Sequence, residues 1–151
     1  MNRLFNTTFE NALRLIILLD VFVMPQNLDM IYATDFIAMY GATFGVTETD
    51  LNGDNQYKFS EFASRREIVK KTLRELVLNG LLVAVNMTNG IAYTISSDGE
   101  DYCENLDSDY AKEYRRCAEQ VVRSINGRSE RELISHINRM SAKSIQKGAV
   151  Q

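Results

Sequence analysis

The chain has 151 residues, enough for one domain or for a compact core carrying a helical extension. Its hydrophobic share of 45% and charged share of 25% are those of an ordinary soluble globular protein, which excludes a disordered or fibrous chain. A net charge of -3 excludes a global attraction to nucleic acid, so any such contact needs a local basic patch.

Thr7 or Thr8 can cap a first helix. Its apolar residues Phe9, Leu13, Ile16, Ile17, Leu19 and Val23 cover more than one face and predict a central position. The run LIILLDVFVM is too short to span a bilayer and carries Asp20, so it reads as a buried helix. No secretion signal is evident, and the expected location is cytoplasmic, with no membrane partner. Pro25 stops the helix, because its ring cannot continue the hydrogen-bond ladder. Asn27 is a good cap for a second helix over residues 28–40, with Met30, Ile31, Phe36, Ile37 and Tyr40 inward and Gly41 closing it.

A loop of about 18 residues follows, long for a compact domain. It contains DLNGDNQYKFSEF, in which Asp50, Asn52, Asp54 and Glu61 occupy the first, third, fifth and twelfth positions of an EF-hand pattern. Against calcium stand Asn55 at the sixth position, Tyr57 at the eighth, and a preceding flank, YGATFGVTET, that makes a poor helix. No second loop pairs with it. A polar, turn-rich loop is the preferred reading, a single EF-hand-like calcium site the lesser one, and no cofactor is expected.

A third helix is predicted over residues 60–78, with Phe62, Val69, Leu73, Leu76 and Val77 inward, ending at Asn79-Gly80. LLVAVNM and IAYTISS then flank Asn89-Gly90, a two-residue hairpin signal in which both turn residues need positive φ. Ile91, Tyr93 and Ile95 alternate with Ala92, Thr94 and Ser96, predicting one packed face. After SSDGED, Tyr102, Leu106, Tyr110, Tyr114, Cys117, Val121 and Ile125 recur at helical steps, with Ser108 as a second cap inside NLDSDY. Cys103 and Cys117 read as unpaired core residues on one continuous helical region. Gly127 ends that region, and Ser129 with Glu132 forms a capping box for a last helix through Leu133, Ile137 and Met140.

The fold class is therefore mostly α with a small β-hairpin (α+β). Three helices followed directly by a hairpin is the order of a winged-helix domain, over residues 1–100, with residues 101–151 as a C-terminal helical extension packed on it. His136 is the only histidine, and there is no P-loop, nucleophile elbow or dinucleotide fingerprint, so neither catalytic residues nor metal ligands are assigned and an enzyme is not expected.

One charge feature remains. In SRREIVKKTLRELV, Arg66, Lys70 and Arg74 form a stripe at four-residue steps, flanked by Arg65 and Lys71, on the helix that enters the DNA major groove in a winged helix. The stripe either contacts phosphates or bases, or is a solvated face in which Glu67 pairs with Lys71. The acidic chain and the cation-free turn MTNGIA favour the solvated face. Tyr102, Tyr110 and Tyr114 are candidate anchors for a partner or, equally, core residues packed on the first helix.

LRLIILLDVF, NLDMIYATDFIAMYG, YKFSEFASRREIVKKTLRELVLNGLLVA and GIAYTISSDGEDYCENLDSDYAKEY together resemble the middle component of bacterial three-component ABC systems, including relatives of the Lamassu type. The resemblance covers most of residues 9–122 and rests on the order and spacing of these segments. It implies a small non-catalytic winged-helix adaptor in an anti-phage or anti-plasmid defence complex. The implied partners are a large SMC/Rad50-like ATPase and an effector such as a nuclease, with DNA possible through the complex. A DNA-binding winged-helix regulator is the alternative.

Overall fold

The computed structural model describes residues 8–51 and 57–150, which form six helices and a three-stranded antiparallel sheet. Helix α1 (Thr8–Val21) carries an unbroken buried run at residues 13–19 and is enclosed on all sides, as its apolar pattern requires. Phe9 and Val23, expected inward, are exposed because they flank that run, in the first turn and beyond the last.

After α1 the chain makes an element that the sequence reading lacks. Strand β1 (Gln26–Asn27) pairs antiparallel with a later strand, and two residues are too few to carry a period of their own. Asn27 then caps α2 (Leu28–Met39), its Oδ1 accepting from the Met30 N–H at 2.8 Å. Residues 31–40 are all buried, so α2 is the second central helix. Hydrogen-bonded turns follow, and the Leu51 N–H returns to the Met39 carbonyl at 2.9 Å.

Helix α3 (Lys58–Leu78) begins two residues before the predicted start. It buries Phe62, Arg65, Val69, Thr72, Leu73 and Leu76, a stripe at three- and four-residue steps. Gly80, at φ 78°, ends it. Strands β2 (Leu82–Met87) and β3 (Gly90–Ile95) form the expected hairpin, and the sheet order is β1-β3-β2. The turn differs in detail. Met87 pairs with Gly90, so its central residues are Thr88 and Asn89, and of this stretch only Gly90 has positive φ, at 128°. Gly90 thus absorbs alone the backbone reversal expected of two residues. Tyr93 and Ile95 pack on the core as predicted, but Ile91 is exposed near the hairpin tip, and the buried residue of β3 is Ala92, in the middle strand.

The C-terminal region is three helices. Ser96 caps α4 (Ser97–Glu104) and Ser108 caps α5 (Asp109–Ser124), their hydroxyls accepting from the Gly99 and Ala111 N–H groups at 3.0 and 3.1 Å. Cys103 and Cys117 therefore lie on two separate helices, both buried and free. Before α6 (Glu130–Val150) the capping box is reciprocal: the Ser129 N–H donates to Glu132, and the Glu132 N–H to the Ser129 hydroxyl. Helix α4 packs on α1, α5 on both α1 and α2, and α6 on α2. Tyr114, Ala118, Val121, Leu133 and Ile137 join the same apolar cluster as the residues of α1 to α3.

Candidate functional site

The cationic stripe divides on folding. Arg65 is interior, 5% exposed, because its position on α3 faces the α1–α2 pair. Its Nη2 donates to Asn11 Oδ1 at 3.3 Å and to Asp35 Oδ2 at 3.4 Å. Arg66 is half-exposed and grips Asp29 in the first turn of α2, with Nε to Oδ1 at 2.8 Å. Lys70, Lys71 and Arg74 are exposed and, among the described residues, make no side-chain hydrogen bond or ion pair. The face open to an external phosphate is therefore formed by these last three, one or two turns beyond Arg66. The Glu67–Lys71 pair does not form; Glu67 lies 4.0 Å from Arg66 instead.

The tyrosines divide likewise. Tyr102 is exposed on α4, Tyr110 is half-buried, and Tyr114 is wholly enclosed. The last two belong to a buried polar cluster centred on Asp35. The Asp35 carboxylate accepts from Arg14 Nε at 3.2 Å, from Arg65 Nη2 and from the Tyr114 hydroxyl at 2.7 Å. Arg14 also donates to Asn11 Oδ1 at 2.6 Å and to the Tyr110 hydroxyl at 3.1 Å. Four helices thus converge on one carboxylate, two guanidiniums and two phenols. Buried charges persist only when paired and hydrogen-bonded, and here each contact satisfies another.

Burial alone would lower the Arg14 pKa, but Asp35, with help from Tyr110 and Tyr114, raises it above the ordinary value, so the charge is retained. Tyr114 is pushed well above the usual range by burial and by Asp35, and Tyr110 is raised by burial although Arg14 opposes this. Tyr32, stacked on Phe62 at 4.4 Å and donating to its carbonyl, is pushed by burial to about 12. In each case the fold favours the neutral phenol. That contribution to stability is complete below the unfolded pKa near 10 and is lost as pH rises through the folded values. An absorbance titration should show these three ionising only in the alkaline unfolding transition. All seven ionising together near pH 10, in a chain still folded by circular dichroism, would contradict this.

Arg14, Asn11 and Asp35 were not among the residues singled out from the sequence. Their signal is a charge inside an apolar run, in ALRLIILL and YATDFIAM, where each demands a buried partner. Asp20 carries the same signal in LIILLDVFVM and finds Arg115 of α5 at 2.6 Å.

Asp50, first position of the calcium-like pattern, has both carboxylate oxygens engaged by Thr43: the N–H at 3.0 Å and the hydroxyl at 2.8 Å. Asn52 and Asp54 lie outside the described residues, and Glu61 sits in the first turn of α3. Among the described residues no three His, Cys, Asp or Glu side chains are grouped to hold a metal ion. None of the described helices is long and apolar enough to cross a membrane.

Fold and surface together define a small, mostly helical protein with a three-stranded antiparallel sheet. The chain belongs to the family described as ABC-three component (ABC-3C) system Middle Component 2, whose model matches residues 4–147. A middle component is one part of a multi-component system, which implies partner subunits. No curated protein and no solved structure matches the chain.

Proposed function

We propose that the protein is a non-catalytic, cytoplasmic adaptor subunit of an anti-phage or anti-plasmid defence complex. It would bridge an SMC/Rad50-like ATPase of the Lamassu kind to an effector such as a nuclease. The observation that carries this reading is the family match, which spans nearly the whole chain and describes a middle component. The element order α1-β1-α2-α3-β2-β3, with sheet order β1-β3-β2, supports a winged-helix domain over residues 1–100 with residues 101–151 as its helical extension. Exposed Tyr102 on α4, and Val83, Met87 and Ile91 on the hairpin, offer apolar contact area of the kind partner subunits cover. The test is affinity purification of the chain co-expressed with the products of its neighbouring genes. A large ATPase should co-purify in stoichiometric amount, and its absence under gentle salt conditions rejects the reading.

Lys70, Lys71 and Arg74, exposed and unpaired among the described residues, favour a second reading, direct DNA contact by α3 as a winged-helix regulator. On that reading, replacing all three with Ala lowers the slope of log affinity against log salt by about 3. Electrophoretic mobility shifts measured between low and physiological salt decide it, and an unchanged slope rejects it.

A further inference from the structure

Besides the cationic stripe of α3, this acidic chain carries a second region of positive excess at its C-terminal helices. Residues 115–145 hold seven arginine and lysine residues against three glutamates, within a chain of net charge -3. Part of that excess converges on one cleft of about 290 Å³, which runs from the α5–α6 connection along the first turns of α6. Its lining is Arg128, Arg131, Glu132, Ser135 and Arg139. Among the described residues, none of the three guanidiniums is ion-paired. The one carboxylate, Glu132, is engaged by the capping box, where it accepts from the Ser129 N–H at 3.0 Å. Arg139 is steadied from below, with Nη1 donating to the Ser135 hydroxyl at 3.1 Å.

We propose that this cleft binds the phosphodiester backbone of duplex nucleic acid, without reading its sequence. Two guanidiniums on one face of α6, Arg131 and Arg139, and a third, Arg128, on the connection before it present fork-shaped donors suited to phosphate oxygens. The same charges act on His136 of the same helix. Burial lowers its pKa, and Arg128, Arg139 and Lys143 lower it further by repelling a second positive charge. The composition of the lining selects among anionic partners. It contains no apolar or aromatic residue, so it lacks the apolar core of a protein interface and the stacking platform of a single-strand site. What remains is electrostatic contact with a regularly spaced polyanion, which also explains how an acidic chain could hold one: its charge is separated, not neutralised. This inference does not depend on which subunits accompany the protein.

The experiment uses the full chain and a fluorescein-labelled duplex of mixed sequence, followed by anisotropy from 50 to 200 mM salt. Replacing Arg128, Arg131 and Arg139 together with Ala should weaken binding about tenfold or more at low salt. It should also flatten the log–log salt dependence by about 3. All three side chains are exposed, so melting temperature should not move. Two outcomes overturn the proposal: no binding at 50 mM salt, or equal binding by the arginine variant. Tripolyphosphate or polyglutamate binding as tightly as the duplex, in parallel titrations, would also overturn it by assigning the cleft to a small phosphate or an acidic protein.

Discussion

Asp35→Ala should destabilise the protein by about 3–5 kcal/mol, the range for removing one partner of a buried charge pair. The reason is the stoichiometry of the cluster. One carboxylate, 1% exposed, serves Arg14 at 0% and Arg65 at 5%, so its loss takes a charged partner from two interior guanidiniums at once. Arg65→Met keeps much of the stem volume and leaves Arg14 with Asp35, and should cost clearly less. Urea unfolding of the two variants, followed by far-ultraviolet circular dichroism, tests the ranking. If Arg65→Met proves the more damaging, Asp35 is not the centre of the network. Tyr114→Phe removes one neutral donor to the same carboxylate and should cost about 1–2 kcal/mol, between a lost hydrogen bond and an unsatisfied one.

The second large effect reverses the sign of a general rule. Gly99 lies in the first turns of α4, where Ala would ordinarily be better by about 1 kcal/mol. Here a Cβ would stand 2.2 Å from the Leu81 carbonyl oxygen and 2.7 Å from Ile95 Cγ1. Neither neighbour can retreat freely. The Leu81 carbonyl accepts the Ser96 N–H at 3.1 Å, Ile95 is held in register opposite Leu82, and the Ser96 hydroxyl donates to the Gly80 carbonyl at 2.7 Å. Gly99→Ala should therefore destabilise by about 1–3 kcal/mol, the usual penalty of overpacking. Thermal unfolding with a melting temperature at or above that of the unaltered chain would show that α4 can lift from the hairpin without loss.

Much of this architecture was legible in the residues because its signals are local. Asn27, Ser108 and the Ser129–Glu132 box act within three residues of themselves, and each caps the helix it was assigned to. Apolar periodicity gave α1, α2, α3 and the hairpin, and the order of quoted segments gave the family. What the sequence withheld depends on distant partners. Strand β1 exists only because Gln26 and Asn27 meet Tyr93 and Ala92 across the chain. Arg65 and Arg66 are adjacent and alike on paper, yet one faces Asp35 inside and the other Asp29 at the surface, a difference set by the rotation of α3 on α1 and α2. Tyr110 and Tyr114 have the helical spacing of core residues and of interface anchors alike, and only the position of α5 assigns them to the interior. The arginine cleft was missed because its members are spread over the α5–α6 connection and three turns of α6, with acidic residues between them that mask the excess.

The Asp35 cluster also bears on the order in which the chain can become native. Arg14 meets Tyr110 across 96 positions, and Asp35 meets Tyr114 across 79. During synthesis, the two most apolar helices leave the ribosome long before α5, the element that closes over them. Until then their charges have only each other and water, and their apolar surfaces have no lid. Closing loops of this length precedes the reward of the contacts they permit, which slows folding and lengthens the exposure of sticky intermediates. A nascent chain arrested before α5 should consequently be the form most in need of a chaperone.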